Sequence, residues 1–233
     1  MAKIYAIGVG PGDPELLTLK AERILRQAPV ICAPSANPAD SSYALSIVEG
    51  FIDRSRQQVI VQAFPMKTNR QELEPFWESS ARETVKMVRE GKDVAFITIG
   101  DPFLYSTFLY LYRIVKEKYP DVPVEVIPGI TSISAASIAA GVPLAAASER
   151  VAIIPAAFEE KELRHVLLDF DTVVLMKVNR VFDSVYTLLK ELGLEKKAVF
   201  IRRVGSPEEE VVFDLEPLLG KKLDYLSLLI VKK

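Results

Sequence analysis

Short apolar runs, each broken by glycine or proline, constrain this chain more than any other feature. Lys3 to Val9 runs into Gly10-Pro11-Gly12, and Pro29 to Ala33 stops at Pro34. Val59 to Phe64 stops at Pro65, Val94 to Ile99 runs into Gly100-Asp101-Pro102, and Val124 to Ile127 runs into Pro128-Gly129. Continuous rather than alternating apolar character means that both faces of a strand are covered, as in a parallel sheet between helix layers. The intervening segments have helical spacing. Leu17, Ala21, Ile24 and Leu25 form one stripe, with Asp13 as N-cap and Pro14 in the first turn. Gln71 to Arg89 carries another around Phe76, Ala81, Val85 and Val88, and Ser106 to Lys118 a third. The fold class is therefore α/β, opening with a mostly parallel sheet that has helices on both faces.

The second half is less regular. Val151 to Ile154, Thr172 to Met176, Ala198 to Ile201, Glu210 to Phe213 and Ser227 to Val231 are strand-like, with helical segments at Glu160 to Leu168 and Asp183 to Leu192. Pro207-Glu208-Glu209 has the composition of a hairpin turn. This pattern predicts a second α/β domain with a mixed sheet. The seam is placed near Tyr119-Pro120-Asp121, which divides the chain into residues 1–119 and 120–233. Which sheet takes the fifth run is open at this level.

Composition removes several function classes. The chain has 233 residues, 49% of them apolar and 26% charged, which suits a globular protein with a real core. A net charge of -2 without basic runs argues against nucleic acid or an anionic membrane as partner. No apolar stretch reaches the roughly 18 to 20 residues that span a bilayer. The start, Met1 to Gly8, is too soon interrupted by glycine for a signal peptide, so a cytoplasmic location is expected. Cys32 is the only cysteine and His165 the only histidine, which excludes an intrachain disulfide and a histidine-cluster metal site. Cys32 reads as a small core residue, Trp77 as packing on a helix face, and His165 as a structural or surface residue.

Three turns carry the chemical interest. Gly8-Val9-Gly10-Pro11-Gly12-Asp13 lacks the last glycine of a dinucleotide fingerprint, and the second run ends at Ala33-Pro34 without the ribose-binding acid. No Gly-Lys-Ser/Thr follows, so it is not a phosphate-cradling loop either. In Gly100 to Tyr105, glycine permits positive φ and Asp101 can cap the turn. In Ile127 to Ser132, Thr131 or Ser132 can cap a helix of small residues. All three lie at carboxyl ends of expected strands, where open α/β sheets bind ligands. Small residues and backbone donors in a neutral setting suit an adenosine moiety rather than a polyphosphate. A bulky residue at Gly100 or Gly129 is expected to fill the backbone space such a ligand needs.

At these residues the sequence resembles the tetrapyrrole methylases of the cobalamin and siroheme pathways. Gly8 to Asp13 with Pro14 to Thr18, Gly100-Asp101-Pro102 with Tyr105, and Val124 to Ser132 match the three family signatures in order. Phe64-Pro65-Met66, Gly100 to Phe108 and Pro143-Leu144-Ala145 are similar to the precorrin-2 or cobalt-factor II C(20)-methyltransferase branch. The resemblance implies two α/β domains with S-adenosylmethionine in a trough between them, usually in a homodimer. It implies cofactor contacts from Gly10, Pro11, Gly100, Asp101, Pro102, Tyr105, Thr131, Ser132 and Met176, many through the backbone.

A precorrin-2-type substrate carries peripheral carboxylates, which arginine and lysine would hold. The candidates are Lys67, Arg70, Lys177, Arg180, Arg202 and Arg203. A sulfonium methyl needs an in-line nucleophile and no covalent enzyme intermediate, so alignment can supply most of the catalysis. The sequence identifies no base, and Asp101 is read as shaping its loop. Two other readings stand beside this one. The first is another activity of the superfamily, such as a uroporphyrinogen methyltransferase, a diphthine synthase or a ribosomal RNA methyltransferase, the last disfavoured by charge. The second is a non-catalytic tetrapyrrole or cofactor-binding module.

Overall fold

Each apolar run of the N-terminal half forms a strand: β1 (Ile4–Gly8), β2 (Val30–Ser35), β3 (Gln58–Ala63), β4 (Val94–Thr98) and β5 (Val124–Ile127). All pairings are parallel, in the order β3-β2-β4-β1-β5. Side chains alternate across a strand, so each run is divided between two cores. Ile4, Ala6, Val30, Cys32, Val94 and Phe96 face α3 (Arg70–Arg89) and α4 (Phe108–Lys118). Ile7, Val9, Ile31, Ala33, Ala95 and Ile97 join residues of α1 (Leu19–Gln27) and α2 (Tyr43–Val48). The expected two-sided cover is therefore present. Helix α3 contributes Leu73, Trp77, Ala81, Val85 and Val88, and the Trp77 ring lies flat on Tyr110 of α4 at 3.9 Å. Burial pushes the Cys32 thiol up to about 12, so it stays protonated and packs as a small apolar group.

The structure, a computed structural model, describes all residues except 37–41, 66–69 and 157–158, and all side chains outside those ranges except that of Arg70. Met66 and Lys67 thus lie outside the described residues, as does the side chain of Arg70. Two compact units are present, Met1–Thr131 and Ser132–Lys233. The division comes after β5, later than the seam read near Tyr119-Pro120-Asp121, because β5 pairs with β1 and completes the first sheet.

Two local readings also change. Asp13 caps a single 3₁₀ turn at Pro14–Leu16, accepting from the Glu15 amide at 2.8 Å, and not the long helix. Helix α1 begins at Leu19 under Thr18, whose hydroxyl accepts from the Ala21 amide at 3.2 Å, so Leu17 lies outside it. Helix α2 has only six residues, too short for a periodic stripe, and the sequence reading missed it.

The second unit opens with α5 (Ser132–Ala139) and contains α6 (Glu160–Asp169) and α7 (Phe182–Glu191). Its strands are β6 (Val151–Pro155), β7 (Thr172–Met176), β8 (Ala198–Arg202), β9 (Glu210–Val212) and β10 (Ser227–Lys232). Their order is β6-β7-β10-β8-β9, with β6 and β7 parallel and the other pairs antiparallel, the mixed sheet expected. Val173, Leu175, Phe200, Leu229 and Val231 pack with Leu163, Leu167, Phe182, Val185 and Leu189 of the helices. Among the described residues no helix is long and apolar enough to cross a membrane.

Candidate active site

Strand order brings the three turns together. β1 lies between β4 and β5, so the segments leaving these three strands are neighbours at one sheet edge. Register aligns their ends, with Gly8 opposite Thr98 and Ile7 opposite both Ile97 and Ile127. The Val9 amide donates to the Thr98 carbonyl at 2.9 Å, and the Gly100 amide to the Gly10 carbonyl at 2.7 Å.

Glycine is needed here for two different reasons. At Gly8, an added Cβ would lie 2.5 Å from the Gly100 carbonyl oxygen and 2.6 Å from the Gly129 nitrogen. At Gly129 it would meet the Gly8 carbonyl carbon at 2.7 Å, with the Gly100 carbonyl oxygen closer still. Those contacts are all backbone and cannot rotate away. Gly100 is different. Its φ of 66° needs glycine, but an added Cβ would sit 3.9 Å from the Ile130 oxygen, in ordinary contact. Within the chain, a side chain at Gly100 is thus opposed by its backbone angle, whereas one at Gly129 collides with neighbouring backbone.

Asp101 organises the second turn. Its Oδ1 accepts from the Phe103 amide at 2.8 Å, and its Oδ2 accepts from the Gly129 amide at 3.2 Å. The loop base is closed by a buried hydroxyl pair, Thr98 with Ser106, at 2.9 Å, and Ser106 Oγ also accepts from the Phe108 amide at 3.1 Å. Ser106 and Thr98 were not singled out in the sequence, where nothing marks two hydroxyls as facing one another. Tyr105 is held at φ 52°, which costs about 1–2 kcal/mol outside glycine and is typical of ligand-facing loops. Pro11 and Pro102 are buried, whereas Phe103, Tyr105 and Ile130 are exposed around the turns.

Gly10, Pro11, Gly100, Asp101, Pro102, Tyr105 and Thr131 therefore share one region of the first unit. Ser132 opens α5, and Met176 ends β7 in the second unit, where its carbonyl accepts from the Ala156 amide at 2.7 Å. Four basic candidates lie at or just beyond strand ends. β7 and β8 run alongside β10, with Met176 opposite Leu228 and Arg202 opposite Ser227, so Lys177 and Arg203 leave the same sheet edge. Both have left-handed backbones, at φ 59° and 46°. Arg180 follows in a short 3₁₀ turn.

Arg202 at the end of β8 and Arg203 just after it already hold carboxylates of this chain. Arg202 pairs with its cross-strand partner Glu210 at 2.5 Å. Arg203 binds Glu208 at 2.6 Å and Asp224 at 2.7 Å. Burial alone would raise the Asp224 carboxyl, but the Arg203 guanidinium and the Leu226 amide outweigh it and hold it below the usual range. Arg203 thereby ties the β8–β9 connection to the segment before β10.

The family model for tetrapyrrole (corrin/porphyrin) methylases matches residues 3–218. A probable cobalt-precorrin-2 C(20)-methyltransferase of Methanocaldococcus jannaschii is 34% identical over 99% of this chain and 96% of its own length. The cobalt-precorrin-2 C(20)-methyltransferase of Salmonella typhimurium is likewise 34% identical, over 99% of this chain and 96% of its own. The solved structure of uroporphyrin-III C-methyltransferase from Thermus thermophilus, complexed with S-adenosylhomocysteine, shares the fold. It has a TM-score of 0.72 at 23% identity and covers 99% of this chain and 92% of that one. With all three signature turns assembled at one sheet edge and the match running nearly end to end, this chain belongs to the tetrapyrrole (corrin/porphyrin) methylase family.

Proposed function

We propose that this protein transfers a methyl group from S-adenosylmethionine to the C(20) meso carbon of precorrin-2 or its cobalt form, in cobalamin synthesis. The nearly full-length identity to relatives of that name carries the reading. The residues fit the cofactor. Glycine at position 100 leaves open the space that a Cβ would take beside Ile130 and Thr131, and the surrounding turns present backbone groups and exposed rings. When bound, the cofactor supplies an activated methyl group that needs only an in-line carbon nucleophile. The protein's part is to align the two reactants, which can supply roughly 7 to 11 kcal/mol of the barrier.

Gly10, Pro11, Gly100, Asp101, Pro102, Tyr105, Thr131, Ser132 and Met176 are the proposed cofactor contacts. Lys177, Arg180, Arg202 and Arg203 are the proposed anchors for substrate carboxylates among the described side chains, and Arg202 and Arg203 would have to share their charge with acidic partners of this chain. Incubation with methyl-labelled cofactor, followed by carbon NMR, is expected to show one new methyl on the meso carbon between rings D and A. Label on a pyrrole carbon would reject C(20), and no transfer would reject the proposed reaction. Arg180→Glu is expected to raise KM for the tetrapyrrole about tenfold while sparing cofactor affinity, a loss on the scale of one charge-assisted contact. An unchanged KM would remove Arg180 from the anchors.

We also propose that the protein is cytoplasmic and that it forms a homodimer, the dimer being what the resemblance implies. The supporting observation is a set of exposed apolar side chains on the second unit, including Ile138, Leu168 and Phe213. Sedimentation at micromolar concentration should give about twice the 25.9 kDa chain mass. A lone monomer peak would reject the dimer.

A further inference from the structure

We propose that Asp101 is a positioning residue that latches the second turn to the third, rather than a proton acceptor. The inference rests on the cofactor reading above and adds the means by which two separate turns act as one surface. Both carboxylate oxygens are committed to backbone amides, Oδ1 to Phe103 within its own loop and Oδ2 to Gly129 across the sheet edge. The second bond spans 28 residues of sequence and is charge-assisted. It ends on the residue that packs against Gly8 and the Gly100 carbonyl. The Gly10–Gly100 bond ties the first turn to the second, and Gly8–Gly129 packing ties the first to the third. Asp101 supplies the remaining side of this triangle. Without it, the left-handed Gly100 turn and the Pro128–Thr131 segment would keep their backbone packing at Gly129 but lose this hydrogen bond between them.

The asparagine variant separates the two bonds. In Asp101→Asn, the one side-chain carbonyl can still accept from Phe103, since asparagine forms such turns readily. The amide nitrogen then faces the Gly129 N–H, and the latch is lost. Asp101→Ala removes both bonds. Calorimetry with S-adenosylhomocysteine is expected to show Kd raised about tenfold or more in both variants. The loss should appear in Kd and in KM for the cofactor, while the pH dependence of kcat keeps its wild-type shape, which loss of a proton acceptor would not allow. Amide exchange at Gly129 should be slow in wild type and fast in Asp101→Asn, with the thermal midpoint confirming a folded protein.

Wild-type affinity in Asp101→Asn would overturn the latch. So would an unchanged Kd with collapsed kcat, which would make Asp101 a catalytic acid or base. Unchanged exchange at Gly129 would overturn it independently of any ligand. Failure of the wild-type protein to bind the cofactor would instead reject the cofactor reading, and the exchange measurement would still decide the latch.

Discussion

Replacing Gly129 with alanine is expected to weaken S-adenosylhomocysteine binding by about 100-fold. That factor corresponds to about 2.7 kcal/mol, the scale of losing two hydrogen bonds from a turn that must move. The new Cβ would lie 2.7 Å from the Gly8 carbonyl carbon, against two backbone segments, at Gly8 and Gly100, that cannot repack by changing rotamer. The turn after β5 must then move away from the turn after β1. Overpacking of this kind also costs about 1–3 kcal/mol of stability. Gly91→Ala is the matched control. Gly91 has φ 84° and nothing within 4 Å of an added Cβ, so strain alone acts there, far from the turns. It should lower stability by about 1 kcal/mol and leave binding unchanged. Calorimetry together with thermal melts separates the two effects. Gly129→Ala with wild-type affinity would mean that the three turns do not form one binding surface.

Phe96→Ala is expected to cost the first unit about 3–5 kcal/mol. Phe96 is fully buried on β4, with Phe64 edge-on at 5.8 Å and Phe108 at 5.5 Å. β4 sits between β2 and β1, so the cavity would open in the middle of the sheet, where neither neighbour can collapse inward. Such a loss is a large share of the 5–15 kcal/mol that holds a typical domain folded. Trp77 belongs to the same core and is the only tryptophan, so its fluorescence follows this unit's unfolding in urea. The midpoint should fall well below that of wild type, whereas Lys196→Ala, at an exposed ion pair, should barely shift it. A midpoint unchanged by Phe96→Ala would contradict the core assignment.

Much of the fold was legible because its code is local. An uninterrupted apolar strand needs cover on both faces, and the alternating split of Ile4, Ala6 and Ile7 between two cores follows directly. The bounds of β5 and β7 agree with the runs read for them; β5 is closed by Pro128, whereas β7 ends where Lys177 takes a left-handed backbone. The three turns were visible as glycine and proline at run ends. What failed was also local. Asp13 and Thr18 are both good caps, and the chain uses both in succession, so the long helix starts later than the first cap suggests.

Sequence alone determined that two α/β units follow one another, that the first has a parallel sheet covered on both sides, and that its turns are built from residues permitting unusual backbone. Tertiary structure alone decided that β1 lies between β4 and β5, which makes neighbours of turns that are about 90 and 28 residues apart in the chain. It alone decided that Gly8 and Gly129 are required by crowding but Gly100 by its backbone angle. It also decided that Arg202 and Arg203 spend their charge on Glu210, Glu208 and Asp224. The physical reason is range. Strand and turn formation depend on neighbours a few residues away, whereas strand order, close backbone approach and ion pairing depend on which distant segments meet.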